Sequence, residues 1–209
     1  KRIVMKWEFS RDLVKGNFND YEDISLTNVM FFKEEVANKT VKFETFREVC
    51  FKNCKFSKVS FDNNFMGKVQ FLNCEFIGVS FVESNLSKVM FSNCKFTDVS
   101  FFESTLSDIE IIESLMQYSK IENSTLKDAK LDDVRLNENI HRHNKYHNVI
   151  FYKCELVAEN FIDTKFGDCD LKTSSFKGVN INLDDLITSK LSMLNIIEIL
   201  SDKGILIED

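Results

Sequence analysis

The feature that most constrains this chain is a period of five. Stepping by five from Tyr21 to Leu186 visits 34 positions, and His141 alone among them is neither apolar nor tyrosine. With 44% hydrophobic residues overall, an arbitrary phase would hold about fifteen such residues. Fifteen of the 21 phenylalanines fall in this one phase, including Phe46, Phe51, Phe56 and Phe61 in unbroken succession. Five matches neither the 3.6 of an α-helix nor the 2 of a plain strand. It matches a short strand followed by a corner.

With i naming the column, position i−2 is also small or apolar. Positions i−2 and i therefore point inward and i−1 outward, as in a strand, and i+1 and i+2 turn the corner. Four such sides close a square, and each face of the i−2 column must then recur every 20 residues. One face reads Cys54, Cys74, Cys94, Ser114, Cys154 and Ser174; the next reads Val59, Val79, Val99, Ser119 and Val179. The third reads Asn64, Ser84, Ser104, Ser124, Asn144 and Thr164, and the fourth runs from Val49 through Val69, Val89, Ile109, Ala129 and Val149 to Cys169. Four distinct signatures mean four sides per turn.

Units such as FKNCKFSKVS, FLNCEFIGVS and FSNCKFTDVS resemble the pentapeptide-repeat superfamily, with Phe or Leu central and a small residue two places before it. The resemblance spans about residues 21–186. It implies an all-β fold, a right-handed quadrilateral parallel β-helix, and the repeat length predicts about eight coils. Residues 1–20 lose the phase but contain Ile3, Val4, Trp7, Phe9, Leu13 and Phe18, and are expected to form an N-terminal strand or irregular cap. Residues 187–209 are expected to form a C-terminal helix and tail.

The chain has no proline, as expected where most backbone N–H groups must serve a ladder. A net charge of −6 argues against direct nucleic-acid binding. Residues 101–140 carry nine acidic side chains against four basic, and residues 181–209 six against two, whereas residues 41–60 lean basic, five against two. The acidic stretches read as a solvated surface or as a face for a basic partner. No segment resembles a membrane span or a signal peptide, so a cytoplasmic location is expected.

No phosphate-binding glycine loop, nucleophile elbow or zinc motif is present. No catalytic, cofactor or metal site is therefore expected. Cys54, Cys74, Cys94, Cys154 and Cys169 occupy the inward i−2 column and read as small buried reduced thiols. Cys50, at i−1, is expected to point outward and to be a candidate reactive thiol.

The phase is disturbed at NENIHRHNKYHNV, residues 137–149, which holds His141, His143 and His147. This stretch is either a full polar coil or a loop whose length preserves register, and the loop is the expected form. If it is regular, Asn139 and His141 face inward with Glu159 one coil above Asn139. That would set a histidine beside a carboxylate, an arrangement a catalytic or metal site could use.

After Leu186 the spacing turns helical. Ile187, Leu191, Leu194 and Ile197 share one side, with Met193, Ile196 and Leu200 beside them. Asp184 or Asp185 is expected as N-cap and Gly204 as the stop, and residues 205–209 could add a strand. Apolar on more than one face, this segment can cap the last coil and still offer Ile187, Leu191, Leu194, Ile197, Leu200 and Ile205 to a second copy of the chain. The helix followed by Lys203, Gly204 and Ile205 resembles the C-terminal end of the quinolone-resistance branch of the superfamily. That resemblance implies dimerisation through this end, mimicry of duplex DNA, and binding to DNA gyrase and topoisomerase IV.

Three functions are thus open: a non-enzymatic protein-interaction module of unidentified target, a DNA-mimicking topoisomerase binder, and an enzyme using His141 and Glu159.

Overall fold

The structure, a computed structural model, describes residues 8–20, 25–41 and 45–206. Ile3, Val4, Trp7, Tyr21 and the tail past Leu206 lie outside the described residues. The chain winds as a four-sided parallel β-solenoid of about seven turns, followed by one C-terminal helix. In the body of the rod each residue pairs with the one 20 places on, as in Phe51↔Phe71↔Phe91.

The turn count is one below the repeat arithmetic because both ends depart from the rule. At the front, strand Val14–Gly16 pairs in parallel with Val29–Phe31, an offset of 15 rather than 20, so this turn lacks one side. Phe18, fully buried in the short 3-10 turn Phe18–Asp20, closes the axis edge-on against Phe31 at 5.3 Å and Phe51 at 5.8 Å. At the back, the last side becomes a 3-10 turn, Leu183–Leu186.

The corners have a conformation that composition did not reveal. In nearly every five-residue side, position i+2 is left-handed, with φ of 57° at Asn53, 52° at Lys58 and 54° at Asn73. For a non-glycine residue this costs up to about 1–2 kcal/mol, least for Asn and Asp. The offsetting gain lies between coils. The Asn53 amide donates to the Leu72 carbonyl at 2.8 Å, and the Asn73 amide to the Ser92 carbonyl at 2.9 Å. The side chains add a ladder of their own, Asn93 to Asn73 to Asn53, at 2.9 and 3.0 Å. The recurrent Asn and Asp in these positions follow from that.

Inside, identical residues stack at the coil spacing. Phe51–Phe71–Phe91, Phe56–Phe76–Phe96 and Phe61–Phe81–Phe101 form three columns with centroids 4.9–5.3 Å apart. Within a coil the same rings meet edge-to-face, as Phe51 and Phe56 do at 79°, so both favourable aromatic geometries are used at once. After Phe101 the core turns aliphatic, through Leu106, Ile111, Met116, Ile121, Leu126, Leu131 and Leu136. These side chains fill less volume than phenyl rings, and a cavity of about 40 Å³ opens among them.

The i−2 column is polar in places for a specific reason. Its backbone N–H sits at the corner and is met by the i−2 side chain of the next coil. Ser84 N–H donates to Ser104 Oγ, and Ser104 N–H to Ser124 Oγ, both at 3.0 Å. Cys94 N–H donates to Ser114 Oγ at 3.0 Å, and Ser124 N–H to Asn144 Oδ1 at 2.9 Å. The hydroxyls donate onward to carbonyls, as Ser104 does to Phe81 at 2.7 Å. A small polar residue here closes a hydrogen-bond chain along the rod instead of burying an unpaired amide.

Candidate functional site

Residues 137–149 form a regular coil, not a loop. Strands Arg135–Asn137, Ile140–Arg142 and Lys145–Tyr152 continue the ladder in register, with Ile121↔His141↔Phe161 and Leu126↔Tyr146↔Phe166. The loop expectation fails because the inward polar residues find partners inside the rod, so nothing forces them out to water. His141 is 3% exposed and Glu159 fully buried.

His141 takes the place a phenylalanine would occupy, stacked on Phe161 with centroids 4.4 Å apart. Its Nε2 meets Glu159 Oε2 at 2.7 Å, and its Nδ1 meets the Tyr146 hydroxyl at 2.6 Å. The second carboxylate oxygen, Oε1, accepts from Asn139 Nδ2 at 2.9 Å and from Asn139 N–H at 3.2 Å. Asn139 Oδ1 in turn accepts from Ser119 N–H at 2.8 Å, and Ser119 Oγ from Val99 N–H at 3.1 Å. Along this face the inward residue lengthens from Ser119 through Asn139 to Glu159, between valines at Val99 and Val179.

Burial, reinforced by the Glu159 charge, holds the Tyr146 hydroxyl well above its usual range. Tyr146 therefore keeps its proton, and both ring nitrogens of His141 are occupied by hydrogen bonds, one to Tyr146 and one to Glu159. Chemically, the assembly can hold a proton and orient an imidazole. Its neighbouring cavity has room for a water or two but not for a substrate. The sequence marked His141 and Glu159 but missed Tyr146, although Tyr146 lies one side along the same inward column.

The other two histidines are not part of this cluster. His143 and His147 are exposed and face Asp163 at 3.4 Å and Asp168 at 3.9 Å. Among the described residues no group of three or more His, Cys, Asp or Glu is placed to hold a metal ion. No helix among them is long and apolar enough to cross a membrane.

Cys50 also departs from expectation. It is buried between Met30 and Gln70 in an outward row that Met90 continues, and burial pushes its thiol up to about 11. It is thus a packed side chain, not a reactive one. Burial likewise raises Cys154 and Cys169 to about 11, and all six cysteines are free thiols.

At the C-terminus the helix begins later than expected. It spans Met193–Asp202, capped by Ser192 in a reciprocal box with Asn195. Asp185 instead is buried and paired with Lys165, and Asn182 caps the 3-10 turn. Gly204 does end the helix. At φ 77° it sends its N–H to the Ser201 carbonyl while Ile205 N–H reaches Leu200, a Schellman closure. Ile205 and Leu206 are not in a strand.

This helix caps the rod mainly with polar groups. Glu198 accepts from Phe176 N–H at 2.9 Å, Asp202 from Val179 N–H at 3.2 Å, and Asn195 Nδ2 donates to the Ser174 carbonyl at 2.6 Å. These residues recur at i, i+3 and i+7 and satisfy the open edge of the last coil. Ile199 is the helix's apolar plug, fully buried. The remaining apolar residues face outward, with Met193 72% and Leu194 60% exposed and Ile196 and Ile197 also exposed. Ile187 and Ile205 are exposed near them, whereas Leu191 packs on the core and Leu200 is half-buried.

A family model described as a pentapeptide repeat region matches residues 44–120. A solved structure titled QnrB1, a plasmid-mediated fluoroquinolone resistance protein, is similar at 19% identity, covering 86% of this chain and 100% of that one, with a TM-score of 0.49. HetL, a pentapeptide repeat protein from the cyanobacterium Nostoc sp. strain PCC 7120, covers 78% and 87% at 9% identity and a TM-score of 0.27. Rfr23, a pentapeptide repeat protein from the cyanobacterium Cyanothece 51142, covers 81% and 90% at 9% identity and a TM-score of 0.31. No curated protein sequence matches the chain.

The buried cluster generates a test. Glu159→Ala leaves His141 and Asn139 without their acceptor and should cost about 3–5 kcal/mol in denaturant unfolding. The triple substitution His141→Phe, Tyr146→Phe and Glu159→Val, which also removes the hydroxyl that His141 partners and uses residues native to those columns, should recover most of that loss. A triple variant as unstable as the single one would mean that the cluster is not a substitute for apolar packing.

Proposed function

We propose that this chain, a pentapeptide-repeat protein, is a non-enzymatic protein-interaction rod that pairs with a second copy of itself through its C-terminal helix. The observation that carries this reading is the orientation of that helix. Apart from the Ile199 plug, the coil is met by Asn195, Glu198 and Asp202 while Met193, Leu194, Ile196 and Ile197 are turned away from it, the reverse of what an end cap facing water would show. Met193, Leu194, Ile196 and Ile197 form one contiguous outward face at the end of the molecule. A second copy brings an identical apolar face, and a two-fold end-to-end contact covers both without leaving a free one.

An interaction role for the flanks rests on the same geometry. The inward columns are occupied by packing or by hydrogen bonds that serve the rod. His141 and Glu159 lie within the core, where no substrate can reach them while the coil is closed. Recognition is therefore left to outward and corner residues. Light scattering should give twice the chain mass, and Leu194→Glu with Ile197→Glu should convert it to monomer. A wild-type monomer, or a dimer indifferent to both substitutions, would sink this reading.

A second reading refines the partner. Between Asp98 and Glu138 the left-handed corners are mostly acidic, with Asp98, Glu103, Asp108 and Glu113 marking four successive edges and Asp128, Asp133 and Glu138 following. Carboxylates spaced along the edges of a narrow rod support a decoy for duplex DNA, directed at DNA gyrase or topoisomerase IV. Supercoiling by gyrase, with and without a quinolone, should respond to the protein at micromolar concentration. An unchanged reaction would remove the topoisomerases and leave the interaction rod in place.

A further inference from the structure

The opposite charge gathers near the N-terminal end, where an open groove of about 560 Å³ runs along one edge of the rod. That size is ordinary for a small-ligand site. The groove follows two adjacent outward columns whose members stack coil upon coil. One reads Thr27, Arg47, Gly67, Ser87 in register, and the other holds the corner residues Asn28, Glu48, Lys68 and Lys88. Arg11, from the N-terminal segment, closes one side.

Gly67 makes the floor. A Cβ there would lie 2.8 Å from Phe65 Cε1, so the glycine lets the half-buried Phe65 ring fold across the column. The Arg47 guanidinium then rests over that ring, 4.9 Å from its centroid, which presents it as a fixed planar donor and not a freely swinging cation. Lys68 and Lys88 occupy the same corner on consecutive coils, about 4.8 Å apart in rise. Their compensation is incomplete. Glu48 accepts from Ser10 and binds Lys68 at 3.0 Å, hydrogen bonds that keep its carboxyl down at about 2. Among the described residues neither Arg11, Arg47 nor Lys88 has an ion-pair partner. The column turns acidic at Asp108, one coil beyond Lys88, and that bounds the site.

We propose that this groove binds an oligophosphate. A planar guanidinium, two stacked ammonium groups and the hydroxyls of Thr27 and Ser87 are donors suited to phosphate oxygens distributed along a short chain.

Titration calorimetry on the full chain at low salt, with inorganic triphosphate and ATP in parallel, tests this directly. Both should bind in a salt-sensitive manner, and Arg47→Ala and Lys88→Ala should each weaken binding at least about tenfold, with circular dichroism unchanged. Lys58→Ala, on a different edge, should leave it intact. ATP binding more tightly than triphosphate would identify a nucleotide as the source, and equal affinities a bare phosphate chain; either supports the site. Absence of binding by both, or binding indifferent to Arg47 and Lys88, would overturn it.

Discussion

Through the body of this rod, hydrogen bonds between coils join residues about 20 places apart, and that offset governs what each position can hold. It places like residue over like, so a side chain is chosen as much by the coils above and below it as by its own sequence neighbours. Phenyl rings stack on phenyl rings because a parallel-sheet rise of about 4.8 Å is close to the separation at which aromatic faces meet. Asn over Asn pays its left-handed corner back through a side-chain ladder. A Ser over a Ser passes a hydrogen bond from one coil to the next. Local strain and core packing are thus set by one repeat distance.

The same constraint explains how the rod accepts a buried histidine and glutamate. Neither could be placed singly in a phenylalanine core without a severe desolvation cost. Here each has a partner one coil or one side away, and the network ends on backbone amides that need an acceptor. The cluster is best understood as an extension of the polar i−2 column. Its position beside the aliphatic, loosely filled middle of the core is consistent with a stretch in which uniform phenyl packing has been relaxed.

Much of this was legible in the sequence, because the period fixes direction: the phase of Phe46 to Phe101 assigns inside and outside over most of the chain. What was not legible turned on contacts across coils or faces. The stretch around His141 reads as a loop if polarity alone is weighed; recognising it as a coil requires seeing that Tyr146, Asn139 and Glu159 all converge on it. Cys50 was expected to be outward and reactive, but stacking between Met30 and Gln70 buries it. The C-terminal segment reads as an apolar helix, but Asn195, Glu198 and Asp202 make its contact with the last coil, and polar residues on a cap carry the same sequence signature as a solvent face. The left-handed corners left a compositional trace in Asn and Asp but no unique signature, since Lys and Glu adopt the same conformation where the ladder compensates.

Inward polar side chains complete the rod's hydrogen bonding from coil to coil, through residues 137–149 as elsewhere. Residue-resolved amide hydrogen exchange measures this most directly, at Val99, Ser119 and Asn139, whose N–H groups are met by the side chains of Ser119, Asn139 and Glu159. These amides should exchange as slowly as the ladder amide of Phe61. Exchange at the rate of an unstructured peptide would contradict it.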